Sequence, residues 1–414
     1  MAGSSSSNPL PASHQATPPP KILLAKPGLV GVAARGVGVA PGLGGPQDDS
    51  SAALRSRLPS IGSLNLLSDS SWDFSSDRFL PFLTDNTDFT VVGVIGPPGA
   101  GKSTIMNEIY GYDATSPGML PPFAIESEET RAMAKHCTVG IEPRISSERI
   151  ILLDTQPVFS PSVLADMIRP DGSSTISVIS GESLSAELAH ELMTIQLGVF
   201  LASVCHIFLV VSEGVHDHSM WRLMSMVDLL KHGIPDPSSV SLLHPQGSSL
   251  SSEKENKDKS LEVGKDYMAA PVFVQTKLRD QDFTPHNVVQ LKKALGRYFS
   301  SSSFMKLKCQ NASNENSNVA ISAQNDDTDS ATLKLFLVPT KDRDDSPRPQ
   351  YESYISVLWK IRDQVLSMSG SSFSRTVSER DWLKNSAKIW DVIKNSPIIA
   401  EYCRTLQSSG MFRR

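Results

Sequence analysis

Apolar positions first gather into an almost unbroken run at Asp88-Phe89-Thr90-Val91-Val92-Gly93-Val94-Ile95. A β-branched run without polar alternation predicts a strand buried on both faces. A Gly-rich turn follows, and Ser103 to Tyr110 predicts a helix that stops near Gly111. Thr138 to Ile145 and Arg149 to Leu153 predict two strands, the second ending at Asp154. Ser183 to Leu201 is apolar at helical spacing, and Val204 to Val211 reads as another buried strand. Ser219 to Lys231 places Met220, Leu223, Met224, Val227 and Leu230 on one helical face, closed by His232-Gly233. Ala270 to Thr276 and Leu333 to Val338 predict strands; Val288 to Phe299 and Tyr351 to Leu366 predict helices, the latter with Tyr351, Ile355, Leu358 and Val365 on one face. Strands alternating with helices imply crossover connections and a mostly parallel sheet, hence an α/β fold.

Where that periodicity fails, no core is expected. Residues 1–75 are rich in Gly, Pro and Ser and poor in aromatics, the composition of a disordered low-complexity region. Within them, Ile61 to Trp72 holds apolar residues able to dock, though a solvated linker is the simpler reading. The first acidic residue is Asp48, so the leading stretch also shares the composition of an organellar transit peptide; low complexity is again simpler. Order is expected from about Asp73, with a short lead-in at Phe79 to Leu83. Residues 112–137, with Pro117, Pro121 and Pro122, are irregular, and the polar stretches 238–264 and 309–330 read as disordered insertions. A serine-rich break at Ser367 to Ser374 divides a main domain, 76–368, from a helical tail, 375–414. In the tail, Ser378 and Asp381 fit a capping pattern ahead of Trp382, Ile389, Trp390 and Ile393, and Pro397 opens another helix.

Composition narrows the setting. A formal net charge of -5 gives no global attraction to nucleic acid or an anionic membrane, although totals say nothing of local patches. Cys137, Cys205, Cys309 and Cys403 lie far apart without metal-ligand spacing, which predicts reduced thiols in the cytosol or nucleus. No apolar run reaches the roughly 18 residues of a membrane span.

The chemistry centres on Gly96-Pro97-Pro98-Gly99-Ala100-Gly101-Lys102-Ser103, which has the spacing GxxxxGKS between the strand and helix that a phosphate loop requires, with Thr104 following. Its glycines let backbone N–H groups turn toward phosphate oxygens, and the helix N-terminus adds positive partial charge. Lys102 is expected at the β- and γ-phosphates, and Ser103 at Mg²⁺. The apolar strand before Asp154 places a carboxylate where such proteins hold the metal. Thr138 fits either a metal-side threonine entering its strand or a strand threonine with no ligand.

Two positions depart from the G-domain pattern. Where DxxG and a water-orienting Gln belong, the chain reads Asp154-Thr155-Gln156-Pro157-Val158. Pro157 has no N–H for a γ-phosphate, and Gln156 comes two positions early, so hydrolysis is not expected. The base-recognition position reads Thr276-Lys277-Leu278-Arg279, in which Arg279 replaces the carboxylate that accepts from guanine. The cofactor is therefore expected to be Mg²⁺ with a nucleoside tri- or diphosphate, ATP or GTP/GDP, with Thr276 and Lys277 near the base. His216-Asp217-His218 lacks a third clustered ligand and fits a helix-capping loop better than a metal site.

The runs DFTVVGVIGPPGAGKST, KHCTVGIEPRISSERIILLDTQPVFSPS, VCHIFLVVSEG and FVQTKLRDQDF, with the tail run SERDWLKNSAKIWDVIKNSP, resemble the SMG-nine family of nonsense-mediated mRNA decay factors over roughly residues 65–408. The resemblance implies a G-like P-loop domain that pairs with the G-like domain of an SMG-eight-like protein. It further implies that the pair binds and restrains an SMG-one-like kinase related to the phosphatidylinositol-3-kinases. A regulatory nucleotide-binding scaffold, not a turnover enzyme, is the leading expectation. A GTPase switch completed by a partner and a small-molecule P-loop kinase are its rivals. The only arginines between Ser212 and Thr340 are Arg222, Arg279 and Arg297, which disfavours the kinase's arginine-bearing lid.

Overall fold

Six strands, β1 (Thr90–Ile95), β2 (Ile141–Ile145), β3 (Ile150–Thr155), β4 (Ile207–Glu213), β5 (Ala270–Leu278) and β6 (Lys334–Pro339), form one sheet in the order β2-β3-β1-β4-β5-β6. Only β2 runs antiparallel to its neighbour; the other pairs are parallel. The computed structural model describes residues 64–68, 71–113, 120–179, 182–240, 267–304, 333–341, 351–368 and 371–410. Expectations for residues 1–63, for nearly all of the 238–264 insertion and for the whole of 309–330 lie outside these. The fold is the expected α/β arrangement: mostly parallel strands with helices on both faces.

One face of the sheet is covered by α1 (Lys102–Tyr110) and α7 (Tyr354–Ser367). The buried seam of α7 is Val357, Leu358, Ile361 and Val365. This corrects the expected face: Ile355 is exposed, and Tyr351 precedes the helix and stacks on Phe283 at 4.0 Å. The seam rotates because α7 leans on α1 as well as on the sheet. Two short helices, α2 (Glu128–Ala132) and α3 (Pro161–Met167), join elements around the sheet's β2–β3 side.

The opposite face carries α4 (Ala186–Val204) and α5 (His218–Leu230), with α6 (Pro285–Tyr298) beside them. Asp217 caps α5 by accepting from the Met220 N–H at 3.0 Å, which accounts for the His-Asp-His run. Helix α4 is buried almost all round, from Ala186 to Val204. A helix apolar on every side needs cover beyond the sheet. That cover is α8 (Glu379–Lys394) and α9 (Pro397–Ser408), which pack on it as an outer layer.

Two boundaries therefore differ from expectation. The tail is part of the body: Trp382, Ile389, Trp390 and Ile393 are fully buried against it. The order also starts earlier than Asp73. Leu66, Leu67 and Trp72 are buried in the same core, and the Leu66 N–H donates to the Ile141 carbonyl at 2.8 Å. Trp72 and Trp390 meet edge to face at 5.7 Å, and the Trp390 indole N–H donates to the Trp72 carbonyl at 2.9 Å. Trp72 in turn donates to Gln196 on α4 at 2.9 Å.

Glu379 fastens α8 to the start of β3. Its buried carboxylate accepts from the Thr84 N–H at 2.8 Å and from Arg149 Nε at 2.7 Å, with a second Arg149 bond alongside. Burial pushes this carboxyl up, but the Arg149 and Thr84 hydrogen bonds outweigh it and hold it below the ordinary glutamate value. A depressed folded-state pKa contributes stability above the unfolded value, lost as pH falls through the folded one. Glu379→Gln is expected to cost about 1–2 kcal/mol at neutral pH, the low end for a charged pair because Arg149 is 32% exposed. Urea unfolding at pH 7 and again below about pH 4 checks this; the gap between variant and parent should narrow in acid.

Candidate nucleotide-binding site

The phosphate loop leaves β1 at Gly96 and enters α1 at Lys102. Gly101, the residue before the helix, has φ of 91°, a left-handed conformation open to glycine at little cost. A Cβ on Gly96 would lie 2.3 Å from the Val211 carbonyl oxygen, so the turn and β4 approach too closely for any side chain. Lys102 is buried, and its ammonium donates to the carbonyls of Gly96 at 3.0 Å and Pro97 at 3.1 Å, folded back over its own loop. Burial pulls its pKa down to about 8, against the opposing charges of Asp154 and Glu126.

Three predicted metal-side residues come together. Asp154 Oδ2 accepts from Ser103 Oγ at 2.7 Å and from Thr138 Oγ1 at 3.0 Å. Asp154 is fully buried, and its Oδ1 has no hydrogen-bond partner. Burial pushes this carboxyl up, while Lys102, Ser103 and Thr138 pull it back. An orphaned buried carboxylate oxygen beside two hydroxyls is a hard-oxygen donor set that fits Mg²⁺, which otherwise relies on water and phosphate oxygens. Of the two readings of Thr138, the geometry favours the metal-side one: it sits ahead of β2, not within it.

Pro98, Gly99, Gly101, Lys102, Ser103 and Thr104 form one wall of a cleft of about 170 Å³ that also includes Thr138. Ala100 points inward, and its carbonyl accepts from Thr276 Oγ1 at 2.9 Å. Thr276 Oγ1 also lies 3.1 Å from the Ser212 carbonyl, so its hydroxyl ties the phosphate loop to β4 and β5. Lys277 is exposed, pairs with Glu213 at 2.8 Å, and lies 3.7 Å from where a Gly99 Cβ would be. Arg279 is exposed, and Asp280, one residue beyond the expected acceptor, accepts from the Tyr351 hydroxyl.

The Gln156 side chain turns away from the cleft. Its Oε1 accepts from the Gly140 N–H at 3.0 Å, and the residue is buried. Val158 is buried too, and Pro157 lines the cleft. Apart from Thr138, the second wall was not predicted: Ala124 to Glu126, Arg131 and Lys135 to Cys137 face the phosphate loop. Among the described residues, no group of three or more His, Cys, Asp and Glu could hold a metal, and no helix is long and apolar enough to cross a membrane.

No family profile matches the sequence. Among curated proteins the chain is 30% identical over 407 residues to the nonsense-mediated mRNA decay factor SMG9 of Xenopus laevis, covering 90% of this chain and 73% of that protein. It is 31% identical over 355 residues to SMG9 of Xenopus tropicalis, covering 80% of this chain and 64% of that protein. Against SMG9 of Caenorhabditis elegans the identity is 25% over 232 residues, covering 56% and 52%. Among solved structures, the GTP-bound GTPase-like domain of S. cerevisiae Ski7 aligns at 10% identity and a TM-score of 0.30, covering 72% of this chain and 53% of that one, a likeness too slight to carry an argument.

Proposed function

The chain belongs to the SMG9 family of nonsense-mediated mRNA decay factors, and we propose that its part in that process is regulatory: it binds a nucleotide with Mg²⁺ as a structural ligand and does not turn it over. Gln156 carries this reading. The phosphate loop, Lys102, Ser103, Thr138 and Asp154 keep what holds a nucleotide and its metal, while the one carboxamide near the DxxG position is spent on Gly140. Ser103, Thr138 and Asp154 would hold Mg²⁺, whose chemistry there is to neutralise phosphate charge. Binding to the folded state alone stabilises it by mass action, which suits a scaffold. Arg279 in place of the guanine acceptor, with Asp280 engaged by Tyr351, supports weak discrimination between guanine and adenine.

The partners proposed with this reading are a G-like-domain protein of the SMG-eight type and an SMG-one-like kinase bound by the pair, in the cytoplasm or nucleus. The apolar face of α8 is not the docking surface, because its own chain covers it. Coexpression of the full chain with the SMG-eight-like protein is expected to give one peak on size exclusion at micromolar concentration. Phosphate release by the purified chain is expected at or below the unaided rate of small GTPases, about 10⁻⁴ to 10⁻² per second. Turnover well above that range, abolished by Lys102→Ala, would show an enzyme; separate elution would remove the scaffold.

A further inference from the structure

The wall of the cleft opposite the phosphate loop carries cations that the reading above does not use. We propose that Arg131 and Lys135 recognise the terminal phosphate, so that the site distinguishes a nucleoside triphosphate from a diphosphate, and that Glu126 holds Arg131 when that phosphate is missing. This rests on the nucleotide-binding reading and names what the site senses.

In a phosphate loop the backbone N–H groups hold the inner phosphates, while the lysine and the metal mark the outer end. Here the outer end lies at Lys102, Ser103 and Asp154, and Thr138 is tied to that corner by its hydrogen bond to Asp154. Lys135 stands three residues before Thr138, and both line the cleft with Arg131. The second wall thus brings two cations to the outer end of the polyphosphate, where a triphosphate has an additional charged group and a diphosphate has none.

Glu126 supplies the other half. Its Oε2 lies 3.3 Å from Arg131 Nη2, and the same oxygen lies 3.7 Å from where a Gly99 Cβ would be. A carboxylate oxygen therefore reaches over the phosphate loop and satisfies the guanidinium, as a phosphate oxygen would. The pair is loosely held: the Arg131 side chain is 68% exposed, and α2, which carries it, buries no residue. A phosphate offers the guanidinium a bidentate, more highly charged partner than this carboxylate. Re-aiming Arg131 breaks no core contact.

Calorimetry on the full chain tests this, with Mg²⁺ and, for both adenine and guanine, a non-hydrolysable triphosphate and the diphosphate. Arg131→Ala is expected to weaken the triphosphate roughly 10-fold and leave the diphosphate within about twofold, the loss of one charge-assisted contact. Lys135→Ala should act in the same sense, Arg131→Lys should recover part of the loss, and Glu126→Gln should tighten the triphosphate. Thermal melts matching the parent identify variants that fold. If folded Arg131→Ala and Lys135→Ala both leave the ratio of triphosphate to diphosphate affinity unmoved, this inference is overturned while nucleotide binding stands. A parent protein that binds none of the four nucleotides overturns both.

Discussion

Trp390→Ala is expected to lower the unfolding free energy by about 3–5 kcal/mol, the usual cost of deleting a buried aromatic side chain. Trp390 is fully buried between Trp72 and Phe200, with its ring edge-on to both at 5.7 and 5.3 Å. The substitution removes apolar area, two ring contacts worth roughly 0.5–1.5 kcal/mol each, and the hydrogen bond to the Trp72 carbonyl. Neighbours cannot close the space readily, because α4 is held against the sheet on its other side. Urea unfolding followed by far-UV circular dichroism measures the change. A loss under about 1 kcal/mol would mean that α8 is a detachable tail after all, and its face would again be available to a partner.

Lys102→Ala is expected to weaken nucleotide binding by roughly 10- to 100-fold, or about 1.5–3 kcal/mol, through loss of the main cation at the phosphates. Unlike Arg131→Ala, it should weaken diphosphate and triphosphate together, because Lys102 belongs to the loop itself. The ammonium also ties the Gly96 and Pro97 carbonyls. Lys102→Met, which keeps the stem's packing, therefore separates loss of charge from loss of loop geometry. Unchanged affinity by calorimetry in either folded variant would remove the phosphate-loop assignment.

Legibility in the sequence followed the range of the interactions. The phosphate loop was readable because its geometry is local: positive-φ glycines between a buried strand and a helix start leave one backbone path. Asp154 was readable because an apolar strand ending in a carboxylate places that group at the sheet's edge. The partnership of Leu66, Leu67 and Trp72 with α8 was not, since Trp72 and Trp390 are 318 residues apart and neither segment's own periodicity names the other. One hint lay in the near-continuous apolar run of α4, which one sheet face alone cannot cover. The second cleft wall carried no period at all: it follows Pro121-Pro122 and includes a five-residue helix with nothing buried. The contacts of Thr276 were not legible, because its hydroxyl meets two backbone carbonyls that only the folded sheet brings near.

The complete enclosure of α4 sets an order on biosynthesis. Helix α4 leaves the ribosome long before α8, and until Ser378 to Lys394 has been made its outer side has only the earlier segment around Trp72 and Phe74 to rest on. Domains generally close as units while synthesis proceeds, but here α8 and α9 complete a core begun by Leu66, Leu67 and Trp72. A nascent chain halted between Cys205 and Ser378 therefore carries an apolar helix without the cover of α8 and α9, the kind of surface on which chaperones act and from which aggregation starts.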